Sequence, residues 1–304
     1  MKDEKSLNNT VINWYPGHMA KTRKQIIEDL KLVHVVIEII DARVPISSQN
    51  PDIDNLVGNK QRIIILNKAD LADEKENEKW LSYFNKKGTY AFLVNSNSGD
   101  GVQKVEKEIK NIMLQRSEII SAKGITGNSI RGMIVGIPNV GKSSFINRIS
   151  KGTAATVGNK PGVTKQKHWI RMQNGIELLD TPGVLWPKFE DKEVGLNLAY
   201  IGTIGENAID NVEVAFYLLK YLLKNEKEKL YTRYKLTETE VEISSYEEEN
   251  EWVLNVMHII GRKRGALISG GNIDETKTSQ IILDDFQSGK IGKITIEKVG
   301  GKNI

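Results

Sequence analysis

The chain contains no cysteine. Disulfides and thiolate metal sites are excluded, and nothing in the composition points to an oxidising compartment. Nor is there an apolar run long enough to span a bilayer, since the longest stretches, around Val35 to Ile40 and Ala215 to Leu223, are too short or interrupted. The opening MKDEKSLNNT is polar and lacks the charged-then-apolar order of a signal peptide. No internal repeat and no low-complexity linker is present. These absences lead us to expect a soluble, cytoplasmic protein with no membrane partner, monomeric when free.

Acids are nearly missing from one region. Between Lys110 and Arg171 there are eleven Lys or Arg and a single acid, Glu118, although the net charge of the whole chain is only +4. Such a local excess suits a polyphosphate or nucleic-acid surface, with a solvated basic face as the plain alternative. Conversely, Glu238 to Glu251 holds seven Glu and no base, as expected of a solvated helix face or loop. At 304 residues and 39% hydrophobic content, the chain can hold a full domain with its own core and a second, smaller unit.

What is present is a series of short β-branched runs, each ending in a loop with chemical content. Val33 to Ile40 leads into Asp41-Ala42-Arg43, Arg62 to Leu66 into Asn67-Lys68-Ala69-Asp70, and Tyr90 to Val94 into Asn95-Ser96-Asn97-Ser98. Gly132 to Ile137 leads into Pro138-Asn139-Val140-Gly141-Lys142-Ser143, and Ile176 to Leu179 into Asp180-Thr181-Pro182-Gly183. Apolar runs separated by helical patterns, such as Trp80 to Lys87 and Val102 to Leu114, predict buried parallel strands in a doubly wound α/β sheet. Ligands in such sheets sit beyond the carboxyl ends of the strands, where all these loops fall. Lys167 to Met172 alternates and predicts an added antiparallel edge strand. Beyond Asp191 helical periodicity takes over, with Val212, Ala215, Phe216, Leu219, Leu222 and Leu223 on one stripe. Helices are expected over Glu251 to Ile260 and Glu275 to Gln287, and the Gly- and Lys-rich residues Gly289 to Ile304 are expected to fray. The predicted organisation is a tail at 1–13, a GTP-binding domain at 14–191 and a helical domain at 192–304.

The phosphate loop is GxxxxGKS between a strand and a helix predicted over Ser143 to Ile149, the context its mechanism demands. Gly136 and Gly141 let backbone N–H groups turn inward as an anion nest, which Val140 and Ser144 help to line. Lys142 should reach the β and γ phosphates, and Ser143 should ligate Mg²⁺. Asp70 selects guanine, because a carboxylate accepts from both N1–H and the 2-amino group, whereas adenine leaves it unpaired. Asn67 would contact the base edge or tie its loop to the phosphate loop, with the Lys68 stem packing over the base plane beside Ala69. Asp180 suits a carboxylate holding Mg²⁺ through water, and the Gly183 N–H can sense the γ-phosphate. Thr164 is the candidate switch threonine on Mg²⁺, with Thr156 as competitor.

The order of these motifs is rotated: base-reading loop first, phosphate loop second, DTPG third. Together with WYPGHMAK at Trp14 to Lys21, DARVPISSQNP, GIPNVGKSS, NKPGVTK and LLDTPGVLWPKFED, the chain resembles the circularly permuted GTPases of the ribosome biogenesis GTPase A family. The likeness runs from residue 14 through the GRKRG and SGG segments. It implies a GTP hydrolase that binds the immature large ribosomal subunit and its rRNA late in assembly, then releases. Where many GTPases carry SAK, this chain has Ser96-Asn97-Ser98, so only backbone-type contacts are expected at Asn95 and Ser96. Arg262, Lys263 and Arg264 are candidate rRNA contacts.

After the DTPG glycine stands Val184, which cannot orient a water, so unaided turnover should be slow. The resemblance places His18 near the catalytic region, where an imidazole can accept a hydrogen bond from water. Asn139 resembles a phosphate-loop asparagine that holds K⁺ in some GTPases. Trp186-Pro187-Lys188 joins the switch loop directly to the helical domain, which would let nucleotide state reposition that domain. Two other functions compete: a small-subunit assembly GTPase, disfavoured by the lack of cysteine-based zinc modules, and an RNA-binding scaffold with GTP as a structural ligand.

Overall fold

The computed structural model describes residues 18–58, 60–121, 130–152, 156–158, 168–172, 176–181, 183, 191–205, 209–242 and 248–301. Its elements run α1 (His18–Leu30), β1 (Val35–Asp41), α2 (Pro51–Val57), β2 (Gln61–Asn67), α3 (Glu74–Lys86), β3 (Tyr90–Val94), α4 (Val102–Ser121), β4 (Ile130–Val135) and α5 (Lys142–Gly152). They continue through β5 (Thr156–Gly158), β6 (Trp169–Arg171), β7 (Ile176–Asp180), α6 (Lys192–Tyr200), α7 (Asn211–Asn225), α8 (Lys227–Tyr234), a 3₁₀ turn (Glu238–Val241), α9 (Glu249–Lys263) and α10 (Glu275–Gln287).

The strands form one sheet in the order β3-β2-β1-β4-β7-β6-β5. The first five are parallel, and β6 and β5 are antiparallel. Trp169–Arg171, within the stretch expected to do so, therefore does supply an antiparallel strand, but not the edge, because Thr156–Gly158 pairs outside it. Strand order, not strand direction, reverses between β1 and β4, the switch point at which a crevice opens at the carboxyl ends of those two parallel strands.

On one face of the sheet the register lines up Val36, Met133 and Leu179, which pack with Ile26, Leu30, Ile53 and Val57 from α1 and α2. Further along the same face Ile40, Ile64 and Leu66 pack with Trp80 and Phe84 of α3. The fully buried Glu38 lies between the two clusters, held by the Arg62 guanidinium (Nε to Oε2, 3.0 Å) and by the Asn50 N–H (3.2 Å). A buried charge is tolerated only with partners of this quality. The alternate residues Val35, Ile37, Ile39, Ile63 and Ile65 are buried too, so helices cover both faces.

The chain divides into two compact units. Among the described residues, one takes those from 18 to 183 together with 295–301, and the other those from 191 to 294. The helical unit is thus an insertion, and the second domain does not run to residue 304 as expected. The correction has a physical cause in residues 295–299, which do not fray: Thr295 is buried, and Val299 packs on the Trp80 and Phe84 cluster.

Within the helical unit α7 is central, packing against α6, α8, α9 and α10. Its buried stripe is Val214, Ala215, Leu218, Leu219, Leu222 and Leu223. Val212 and Phe216, expected on that stripe, are only half-buried, and Val214 and Leu218 take the buried places instead, because α7 packs against four helices rather than along a single seam. Asp191, Asp210 and Asp274 cap α6, α7 and α10 by accepting from backbone N–H groups. The acidic stretch is paired rather than merely solvated: Glu238 meets Lys227 (2.7 Å), Glu240 meets Lys263 (2.8 Å) and Glu249 meets Lys220 (2.7 Å).

Candidate nucleotide site

Five strand-end loops converge where the sheet reverses. Their organiser is Asn67, the last residue of β2 and almost fully buried. Its side-chain Nδ2 donates to the Val140 carbonyl of the phosphate loop at 2.7 Å. Its Oδ1 accepts from the Ser96 N–H (3.1 Å) and the Ser96 hydroxyl (2.7 Å). Of the two roles open to Asn67, the structure selects the tie between loops: one amide joins the base-reading loop, the phosphate loop and the Asn95–Ser98 loop. Gly141 is required at this junction. Its φ is +96°, and a Cβ there would stand 2.3 Å from Asn67 Nδ2.

Lys68 follows in the left-handed region (φ +57°), with its ammonium 3.0 Å from the Asp41 carboxylate. Asp41 ends β1, is buried, and takes Arg43 Nε at 2.9 Å and a second guanidinium nitrogen at 2.8 Å. Burial would push this carboxyl up, but the Arg43 and Lys68 charges and the Arg43 hydrogen bonds outweigh it and hold it well below the usual carboxylate range. The Ala42 N–H donates to the Asn67 carbonyl (2.9 Å), locking the two strand ends together. Sequence reasoning noticed the Asp41-Ala42-Arg43 loop but gave it no role. Its signal was a carboxylate at a strand end facing a cationic motif on the neighbouring strand.

The Ala69 N–H donates to the Val94 carbonyl (3.2 Å), and its carbonyl accepts from Asn77 Nδ2 (2.9 Å), so Asp70 is presented, exposed, from a fixed loop. Asn95 organises its own loop, its Oδ1 accepting from the Asn97 and Ser98 N–H groups (2.9 and 3.1 Å). A residue missed from sequence braces this loop from outside. Arg148 of α5 donates through Nε to the Ser96 carbonyl (3.4 Å) and through a second nitrogen to the Asn97 carbonyl.

In the phosphate loop, Lys142 Nζ donates to the Gly136 and Ile137 carbonyls (3.0 and 2.8 Å), folded back over the nest. Burial pulls its pKa down to about 8, partly offset by the Asp180 charge. Asp180 is shifted up by burial, against the His168 and Lys142 charges. Ser143 and Ser144 are exposed in the first turn of α5, and Asn139, also exposed, has φ +62°. Thr181 Oγ1 donates to the Ile134 carbonyl (2.6 Å) and pins the DTPG segment to β4. Gly183 lies against the phosphate loop: a Cβ there would stand 2.8 Å from Lys142 Nζ and 2.9 Å from the Pro138 nitrogen.

Thr164 and Val184 lie outside the described residues, as does the side chain of Thr156. His18 begins α1, and its side chain is likewise outside them. The three basic candidates of the helical unit are exposed, but two are engaged internally. Lys263 pairs with Glu240 and donates to the Lys235 carbonyl (2.5 Å), and Arg264 donates to the Arg233 carbonyl (2.8 Å) while lying 5.0 Å from the Tyr234 ring centroid. Arg262 has no such partner among the described residues.

An anion nest, a lysine over it, a carboxylate at the next strand end and a buried asparagine leading to Asp70 define a P-loop GTPase, a GTP hydrolase of circularly permuted order. The chain is 44% identical to ribosome biogenesis GTPase A of Bacillus cereus over 94% of both chains, and 29% identical to that of Thermotoga maritima over 94% of both. It belongs to the ribosome biogenesis GTPase A family and is a ribosome biogenesis GTPase. A family model described as a 50S ribosome-binding GTPase matches residues 131–258, from the phosphate-loop strand onward. Mitochondrial ribosome-associated GTPase 1 of Mus musculus is 34% identical over 95% of this chain and 90% of its own. Among solved structures, GNP-bound YlqF from T. maritima is similar with a TM-score of 0.62 and 25% identity, covering 91% of this chain and 98% of that one. Among the described residues, no helix is long and apolar enough to cross a membrane.

Proposed function

We propose that the chain binds the immature large ribosomal subunit and couples GTP hydrolysis to a late assembly step and its own release. The observation that carries this reading is the placement of Gly183 against Lys142 and Pro138, a few residues before the polypeptide enters the helical unit. A group seated on Lys142 must displace or recruit Gly183, so the presence of a γ-phosphate is felt at the root of the inserted unit. The matching family model, described as a 50S ribosome-binding GTPase, supports the choice of partner.

Asp70 reads guanine, the Val140–Ser144 nest holds the phosphates, and Lys142 spans the β and γ phosphates. The donor set fits a hard cation: Ser143 offers a hydroxyl and Asp180 a carboxylate, both oxygen ligands. Mg²⁺ arriving with GTP would take Ser143 directly and Asp180 through water, with Thr164 as the switch ligand, and would neutralise phosphate charge. Asn139 is the residue that would hold K⁺, which would supply positive charge next to the nucleotide. With Val184 after the glycine, His18 orients the attacking water once the ribosomal particle completes the site. Arg262 contacts rRNA first among the three basic candidates, since among the described residues its side chain has no internal partner.

GTP turnover measured alone, with purified large subunits and with purified small subunits tests the reading. Strong stimulation by large subunits alone is expected. Equal stimulation by small subunits would move the partner, and none by either would favour an RNA-binding scaffold holding GTP structurally.

A further inference from the structure

Residues 295–299 return from the helical unit into the nucleotide-binding unit and bind the loop that follows β1. The Ile296 N–H donates to the Arg43 carbonyl (2.9 Å), the Asp73 N–H to Thr295 Oγ1 (3.0 Å), and Trp80 Nε1 to the Glu297 carbonyl (2.8 Å). The Glu297 carboxylate accepts from the Ile46 N–H (2.6 Å), from the Ser47 N–H (3.0 Å) and from the Ser47 hydroxyl. Two successive backbone N–H groups aimed at one carboxylate make a charge-assisted clamp, stronger than ordinary loop bonds.

The far end of the same loop is the site. The Asp41 N–H donates to Ser48 Oγ (3.0 Å), Ser48 Oγ donates to the Val44 carbonyl (2.6 Å), and the Arg43 N–H donates to Asp41 Oδ1 (3.1 Å). This hydrogen-bonded loop therefore runs without a break from the Ile46 and Ser47 N–H groups to the Asp41 carboxylate. That carboxylate holds Lys68, and Lys68 sits in the left-handed conformation that turns the chain towards Asp70.

We propose that Glu297 is a positioning residue for guanine recognition. By clamping Ile46 and Ser47 it fixes the Asp41–Arg43 pair, and through Asp41 it fixes the Lys68 turn that presents Asp70. The proposal rests on the reading of Asn67 to Asp70 as the base-reading loop. Its consequence is that an acidic side chain lying beyond the helical unit in sequence sets base selectivity, in addition to the motif itself.

The test uses the full chain and compares dissociation constants of GDP and inosine diphosphate, which lacks only the 2-amino group. Glu297→Ala should weaken GDP about tenfold and GTP by the same factor, and shrink the preference for GDP over the inosine nucleotide. Glu297→Gln, which keeps the packing and one acceptor, should fall between. Asp70→Asn is the control, because an asparagine amide can donate to the C2 carbonyl of xanthosine diphosphate. If Asp70→Asn exchanges GDP for the xanthosine nucleotide while both Glu297 variants keep the wild-type GDP preference, the positioning role is wrong even if melting temperature drops. If Asp70→Asn changes neither nucleotide, the base-loop reading itself fails.

Discussion

Asn67 Nδ2 and the Val140 carbonyl are 2.7 Å apart across 73 residues of sequence, a single hydrogen bond that joins the base-reading half of the site to its phosphate-binding half. Replacing Asn67 by Ala leaves the Val140 carbonyl and the Ser96 hydroxyl without this partner. The variant should lose about 2 kcal/mol of stability, and GDP affinity should fall tenfold or more, roughly 1.4 kcal/mol per decade. Chemical denaturation and calorimetric titration read the two effects separately.

Arg148 holds two carbonyls of the loop expected to back the guanine. Arg148→Met keeps the stem beside Gly99 but loses both donors, so GDP should dissociate about tenfold faster with little change in melting temperature. Stopped-flow release of a fluorescent GDP measures it. An unchanged off-rate would mean the Asn95 turn holds the loop unaided.

Gly183→Ala places a methyl group 2.9 Å from the Pro138 nitrogen and 3.0 Å from its Cα, backbone atoms that cannot swing aside. GDP affinity should be nearly unchanged, whereas affinity for a non-hydrolysable GTP analogue should fall about tenfold, because Gly183 must close on the γ-phosphate. Equal losses for both nucleotides would place the glycine outside γ-phosphate sensing.

Asp41 carries a pH dependence with a definite sign. Its folded-state pKa lies below the value of about 3.9 in an unfolded chain, so its stabilisation is complete above that value and drains away as pH falls below it towards the folded value. Asp41→Asn removes the carboxylate charge paired with the buried Arg43 and should cost about 3–5 kcal/mol at neutral pH. The gap between variant and wild type should narrow below pH ~4, as urea unfolding across pH 7 to 2.5 would reveal.

His18→Ala should bind GTP normally yet lose about 10²- to 10⁴-fold of particle-stimulated turnover, the range of a positioned acid–base group. Replacing KCl by NaCl at equal ionic strength should slow wild-type turnover but leave an Asn139→Ala variant unaffected. Unaltered turnover in His18→Ala, or equal rates of the wild type in the two salts, removes the corresponding role.

The chemistry-bearing loops were legible because their demands are local. Apolar runs of strand length end at Asn67, Val94, Val135 and Asp180, within a residue or two of where sequence placed them, and glycine marks where backbone must turn inward. The helix over Glu275–Gln287 was legible for the same reason, its period lying within one element. Helices α1 and α2 were not anticipated: α2 has only seven residues, too few to show a period.

Sequence by itself determined the strand ends, the rotated motif order and the residue types proposed to meet a guanine nucleotide, since each follows from backbone geometry or side-chain chemistry within a few neighbouring residues. Only the tertiary structure decided that Asn67 ties loops together, that Lys68 rests on Asp41, that Arg148 braces Ser96 and Asn97, and that residues 295–299 rejoin the nucleotide unit. These are pairings between positions 27 to 251 residues apart, among them Asn67 with Val140, 73 apart, and Glu297 with Ile46, 251 apart. A hydrogen bond at that separation leaves no period and no turn signature. Asn67 meets Val140 and Lys68 meets Asp41 because the parallel sheet brings the carboxyl ends of β1, β2 and β4 side by side, and Glu297 meets Ile46 because residues 295–299 fold back onto the loop after β1; each adjacency is a property of the folded chain.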